Sequence, residues 1–312
     1  MRFPNLCDTT SPNDAKRDSM SHENDPPFPC GRGPGGGLSR DGAKRVWSHL
    51  VIAMFLLIGA APASAQTPQT VFLEELTWTE LRDVQAAGKT TIIVPIGGTE
   101  QNGPQMALGK HNVRAKALAA RIATELGNAL VAPVIAYVPE GGLNPPTGHM
   151  RFPGTITVPD DVLAKLLEYA ARSFRVGGFR DIVFLEDSGG YEQDLKSVAD
   201  RLNREWAGTP VRVHAVMEYY RVTQTDYIRA LEKAGYSDAE IGVHAGLADT
   251  SLMLAVDPSL VRMDRLATAG APGSGDGVRG NPHRASAELG QLGVDAIVAQ
   301  TVAAIKRDIA QR

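Results

Sequence analysis

The stretch Ile92 to Asn112, IIVPIGGTEQNGPQMALGKHN, constrains this chain more than any other. A β-branched apolar run ends in the Gly97-Gly98 turn. A carboxylate, amides and a histidine then arrive together just before a helix. The crevice beyond the carboxyl end of such a strand is where α/β proteins place their chemistry. The remaining chain alternates in the same way. Helices are expected over Leu76–Ala87, Val113–Leu126, the segment from Asp160 to Phe174, Glu192–Trp206, Thr225–Ala234 and Leu247–Val256, with a long one at the C-terminus. Strands are expected over Thr91–Ile96, Ala129–Tyr137, Asp181–Leu185 and Val211–Val216. Glycines close several helices, and Pro139–Pro153 and Pro272–Pro282 read as loops. This alternation implies an α/β fold: a single three-layer α/β/α domain with a mostly parallel sheet.

That domain is expected over residues 66–312. Residues 1–43, with PPFPCGRGPGGG near their centre, have no apolar period and read as a disordered extension. Residues 44–65 read as a cleavable signal peptide. Lys44 and Arg45 precede the apolar run Leu50–Ala61, and Ala63-Ser64-Ala65 supplies a small-x-small cleavage pattern. The run is short for a membrane span. Export to the periplasm or beyond is therefore expected, with no stable membrane anchor after cleavage. Both cysteines, Cys7 and Cys30, lie ahead of the cleavage point, so a mature chain starting near Gln66 would have no disulfide, thiolate ligand or cysteine nucleophile. Lys+Arg 32 against Asp+Glu 35 gives a formal net charge of -3, and no basic stripe interrupts that balance. A nucleic-acid partner is not expected; a small-molecule substrate is.

Four polar clusters fall in loops at strand ends or helix starts. The first holds Glu100, Asn102, Gln105 and His111. His149 lies in the second, PPTGHMRFPGTI. Glu186, Asp187 and Ser188 follow the strand DIVFL in the third, and His244 with Asp249 forms the fourth, GVHAGLADTS. In a parallel sheet the first and third would share one edge, so carboxylates and imidazole could converge. Gly97-Gly98 and Gly189-Gly190 form neither a dinucleotide fingerprint nor a P-loop, and read as close backbone approaches. His214, inside an apolar strand, reads as a core histidine, and His283 as a surface or capping residue.

The blocks PIGGTEQNGPQMALGKHN, GHMRFPGTI, EDSGG and HAGLADTSLML, in that order, resemble the creatininase family of amidohydrolases from about Thr77 to the C-terminus. The resemblance implies a parallel α/β domain, often in symmetric oligomers, so a homo-oligomer is expected. It also implies hydrolysis of a C–N bond in an amide or cyclic amide at a two-metal site. The family's ligand pattern is only partly kept. Glu100 retains the first ligand, but Asn102 stands at a His position and His111 at that of the bridging Asp. Ser188 stands at the later His. An imidazole cannot bridge two cations as a carboxylate does.

A single Zn²⁺ or Mn²⁺ on Glu100, His111 and Asp187, with His244 as a further candidate ligand, is one chemically reasonable outcome. Family counterparts of His149 and His244 lie at the active site, so these two are expected to handle protons. Asn102, Gln105, Glu186, Ser188 and Asp249 are expected to line the substrate pocket. The competing reading is a non-catalytic small-molecule-binding protein that keeps the fold. The alternative to metal binding is that Glu100 and Asp187 merely cap helices and accept backbone N–H bonds.

Overall fold

A computed structural model describes residues 69–271 and 273–311. The expected extension and signal peptide lie outside the described residues. Four strands, β1 (Thr91–Ile96), β2 (Ala129–Val131), β3 (Asp181–Glu186) and β4 (Arg212–Ala215), form one sheet in the order β2-β1-β3-β4. All three pairings are parallel, with Ile96 opposite Glu186 at the carboxyl ends of β1 and β3. Chain direction across the sheet reverses between β1 and β3, which creates the crevice that ligands use in open α/β sheets.

The helices are α1 (Trp78–Ala86), α2 (Lys110–Leu126), α3 (Asp160–Val176), α4 (Glu192–Glu205), α5 (Glu218–Gln224), α6 (Asp226–Lys233), α7 (Asp238–Ile241), α8 (Leu247–Val256) and α9 (Ala287–Ala310). Alternate residues of each strand feed two cores. Ile93, Val183 and Leu185 pack with Leu118 and Ile122 of α2, Tyr219 of α5 and Ile297 of α9. Ile92, Val94, Ile182 and Phe184 pack with Leu163 and Leu167 of α3 and Leu195 of α4. Full burial of both faces explains why β1 and β3 read as unbroken apolar runs instead of alternating ones. Among the described residues, no helix is long and apolar enough to cross a membrane.

The elements differ from the sequence reading in several places. The strand expected over Ala129–Tyr137 is regular only to Val131, because Pro133 has no N–H to give the ladder. Beyond it, isolated bridges join Ile135 to Ile96 and Val138 to Thr157. Helix α2 begins at Lys110, three residues before the expected start at Val113, so Lys110 and His111 lie in its first turn. Helix α5 lies in a stretch to which the sequence assigns no element. Tyr219 and Val222 carry its buried face, too brief a pattern to show a period. His214 is held by Asp181 at 3.0 Å, and Ser286, not His283, caps α9.

The turn between β1 and α2 sets the site. A Cβ on Gly97 would fall 2.2 Å from Asn112 Oδ1, so only glycine fits there. Asn112 Oδ1 accepts from Gly98 N at 3.0 Å and its Nδ2 donates to Thr99 Oγ1 at 3.1 Å. These bonds fix the loop that carries Glu100.

Candidate active site

Glu100 is buried beyond the end of β1, and three imidazoles surround its carboxylate. His111 Nε2 lies 2.8 Å from Oε1, His149 Nε2 3.2 Å from Oε2, and His244 Nδ1 3.8 Å from Oε1. Two of these rings face a cleft and the third faces inward.

The inward ring is His111. Its Nδ1 lies 2.8 Å from Asp187 Oδ2, so both ring nitrogens are taken by carboxylates. Asp187 also receives Arg114 Nε at 2.9 and 3.1 Å and Tyr219 OH at 2.7 Å. Arg114 extends the network to Asp249 through Nη1 at 3.0 Å, and Lys110 Nζ meets the other Asp249 oxygen at 2.8 Å. The first and third sequence clusters thus converge across the sheet edge. Three basic side chains, Lys110, His111 and Arg114, enter this buried space from the first turns of α2. A helix N-terminus disfavours cations; here Glu100, Asp187 and Asp249 offset that cost.

The two cleft-facing rings are His149 and His244, with centroids 4.6 Å apart. Gln101 positions both. Its Nε2 lies 3.0 Å from His149 Nδ1, and its main-chain carbonyl lies 3.0 Å from His244 Nε2. Gln101 Nε2 also lies 3.0 Å from His244 Nε2. His149 sits in a short 3₁₀ turn, Gly148–Arg151, anchored by His149 N to Glu140 O at 3.0 Å. Gly148 has φ +55 and a Cβ there would meet Glu140 O at 2.8 Å, so the turn requires glycine. His244 is aimed by Ala245, the one non-glycine residue with positive φ (53°) among those described. Such a conformation costs about 1 kcal/mol. Asp249 Oδ2 accepts from Ala245 N at 3.0 Å, and Gln105 Nε2 donates to Ala245 O at 2.7 Å, holding it in place.

Charge follows from this packing. Burial would raise the pKa of Glu100, but His111, Lys110 and His244 outweigh it and hold the carboxyl well below the usual range. Beside it, burial and the charge of Glu100 push Glu140 up to about 9, so Glu140 is the protonated partner of that pair. Burial and Lys110 act to neutralise His111, yet Glu100 and Asp187 raise its pKa above that of a free histidine. His244 is lowered to about 4 by burial and Lys110, and His149 is lowered chiefly by burial. The two cleft-facing imidazoles are therefore neutral near neutral pH, as ligands must be.

Of the expected pocket residues, Ser188 and Asp249 line the cleft, together with Tyr220 and Arg279. Asn102 does not: its Nδ2 is turned inward onto Glu100 O at 2.8 Å. Gln105 is spent on Ala245. Glu186 points to the opposite face of the sheet from Asp187, because successive strand residues alternate. There burial and Glu192 push its carboxyl up to about 9. Lys110, Arg114, Gln101 and Glu140 were not singled out from sequence. Lys110 and Arg114 do share one side of α2 with His111, a signal that needs the helix start to be placed correctly.

Glu100, His149 and His244 offer ligand atoms that all lie within 4.8 Å of one another. Tetrahedral zinc with ligands near 2.1 Å would hold neighbouring donor atoms about 3.4 Å apart; His149 Nε2 lies 3.2 Å from Glu100 Oε2 and His244 Nδ1 3.8 Å from Glu100 Oε1. One ion fits these residues. A second beside Asp187 does not: His111 has no free nitrogen, Asp187 is fully engaged, and the buried charges of Lys110 and Arg114 already occupy that space. The sequence-derived set of Glu100, His111 and Asp187 thus does not converge on one point. His111 stands between the two carboxylates.

Fold and site together define a class: parallel α/β proteins with a carboxylate–imidazole centre at the carboxyl edge of the sheet. The family model Creatininase, described as creatinine amidohydrolase, matches residues 74–305, and the chain belongs to that family. It is 32% identical over 203 residues to creatinine amidohydrolase of Pseudomonas putida, a match covering 64% of this chain and 76% of that protein. It is 28% identical to a mycofactocin precursor peptide peptidase of Mycobacterium ulcerans (strain Agy99), over 58% of this chain and 64% of the relative. A crystal structure of creatinine amidohydrolase superposes with a TM-score of 0.64 at 28% identity, covering 78% of this chain and 99% of that one. Other creatininase structures of this fold are described as a manganese form and a Zn-Zn type mutant.

Proposed function

We propose that this protein is a hydrolase that cleaves the C–N bond of an amide or cyclic amide, at a centre where Glu100, His149 and His244 hold one divalent ion. The observation that carries the proposal is the convergence of a charged carboxylate and two neutral imidazoles on a common point at the floor of a cleft. A divalent ion bound there would polarise a carbonyl and lower the pKa of a water. This revises the role expected for His149, from proton carrier to ligand, and gives His244 the ligand role for which it was already a candidate.

The other residues serve that centre through orientation and charge. Asp187 fixes His111, and His111 fixes Glu100, the kind of outer support that tunes a ligand. Gln101 sets the rotation of both cleft-facing rings. Tyr220, raised to about 12 by burial and Asp249, keeps its proton and can donate to a substrate carbonyl oxygen. Hydrolysis adds the oxygen of water to the carbonyl carbon and breaks the C–N bond, and the nitrogen leaves as an amine bearing a proton. Asp249, held by Lys110, Arg114 and Ala245 N, serves as a charge anchor and not as a base.

A binding protein without turnover is the second reading. It is favoured by the buried Lys110 and Arg114 at the position a second ion would need. The test is hydrolysis of a panel of linear and cyclic amides by full-length protein, with added Zn²⁺ or Mn²⁺ and with EDTA. Turnover that needs metal and disappears in Glu100→Gln is the expected result. Saturable binding of an amide without any turnover would favour the second reading.

A further inference from the structure

Beside the cleft lies a recess of about 530 Å³, and the two share a wall made of His149 and Arg279. Arg151 and Arg279 both line the recess, with Phe152 and Val278 as its apolar members, and among the described residues no acidic side chain lines it. Both arginines are exposed, and neither has a carboxylate within ion-pair distance among the described residues. This contrasts with Arg114 and Arg172, whose guanidinium groups are fully engaged.

Their backbones are fixed although their side chains are free. Arg279 pairs with His244 as an antiparallel bridge: Arg279 N donates to His244 O at 2.8 Å and Val243 N to Arg279 O at 2.8 Å. Arg151 closes the 3₁₀ turn that presents His149. Gln101 Nε2 reaches Gly277 O at 3.3 Å, so the residue that orients both histidines also ties down the recess loop. Each arginine is therefore indexed to one of the two cleft-facing imidazoles. Two planar, permanently charged guanidinium groups with no internal partner match a carboxylate better than any neutral group.

Building on the proposed hydrolase, we propose that its substrate is an amide that carries a carboxylate. The scissile carbonyl would lie over Glu100 in the cleft, and the carboxylate would lie between Arg151 and Arg279 in the recess. N-acyl amino acids and short peptides with a free C-terminus have this form.

The test compares matched probes that differ only in charge: N-acetylglycine, N-acetyl-β-alanine and 4-acetamidobutyrate against their N-methylamides. Binding is measured by calorimetry on full-length protein, and hydrolysis is followed in parallel. At least one carboxylate should bind about tenfold more tightly than its neutral partner, the scale of one charge-assisted contact. Arg279→Gln should abolish most of that preference and Arg279→Lys should keep part of it, both at unchanged thermal stability. The preference should survive in Glu100→Gln, because Glu100 lines the cleft and not the recess. Equal affinity for charged and neutral probes, or a preference untouched by Arg279→Gln and Arg151→Gln, would overturn the inference. Metal-dependent turnover of neutral amides with no charge preference would leave the hydrolase reading standing alone. Carboxylate preference without turnover of any probe would leave the recess standing alone.

Discussion

Replacing Arg114 with leucine probes the buried charge network most sharply. The guanidinium makes Nε contacts of 2.9 and 3.1 Å to Asp187 and a 3.0 Å contact to Asp249, and it is buried. Its loss leaves the buried Asp187 and the half-buried Asp249 short of charge. Breaking a buried pair by removing one partner typically costs about 3–5 kcal/mol. Asp187 would keep His111 and Tyr219, and Asp249 would keep Lys110 and Ala245 N, so the lower end, about 3 kcal/mol, is expected. With a urea m-value of about 2–3 kcal/mol/M, the unfolding midpoint should fall by roughly 1–1.5 M. The double variant Arg114→Leu, Asp187→Leu should recover part of the loss, since it removes a charge together with its partner. The same fall should appear in EDTA, because the arginine and not an ion neutralises this space. A loss below about 1 kcal/mol, or one confined to metal-loaded protein, would refute the reasoning.

Two further outcomes are expected. The folded pKa of Glu186, about 9, lies above its ordinary 4.5, so the native state keeps a proton that the unfolded chain releases as pH rises between those values. That group costs stability with rising pH across this window, by up to about 1.4 kcal/mol per unit. Glu186→Gln should flatten the pH dependence and be the more stable form at pH 8; parallel stability–pH curves would contradict this. Protein recovered from the native cell envelope should begin near Gln66 on N-terminal sequencing, whereas an intact Met1 end recovered from the cytoplasm would count against export.

Much of the architecture was legible because β1 and β3 are buried on both faces and their apolar runs are bounded by glycine turns. Convergence of Glu100, His111 and Asp187 across one sheet edge also followed from parallel topology. What these residues do there did not. His111 and Asp187 are good ligand types, and sequence says nothing of the Arg114 and Tyr219 donors that engage Asp187. Placing the helix start at Val113 removed Lys110 from view, since a buried lysine in a helical first turn breaks local preference. Glu186 and Asp187 are adjacent in sequence, and only the strand's alternation, carried one residue past its end, separates them onto opposite faces. Gln101 was passed over between two more conspicuous neighbours, although it orients both cleft-facing rings.

The centre itself is tested most directly by metal stoichiometry. Full-length protein loaded with Zn²⁺ or Mn²⁺ and desalted should carry one equivalent by elemental analysis. His149→Ala and His244→Ala should each lose it, whereas His111→Asn, which removes support but no ligand, should retain it with weaker affinity. Two equivalents in the native protein would contradict the account. So would a single equivalent that survives His149→Ala and His244→Ala but is lost in His111→Asn.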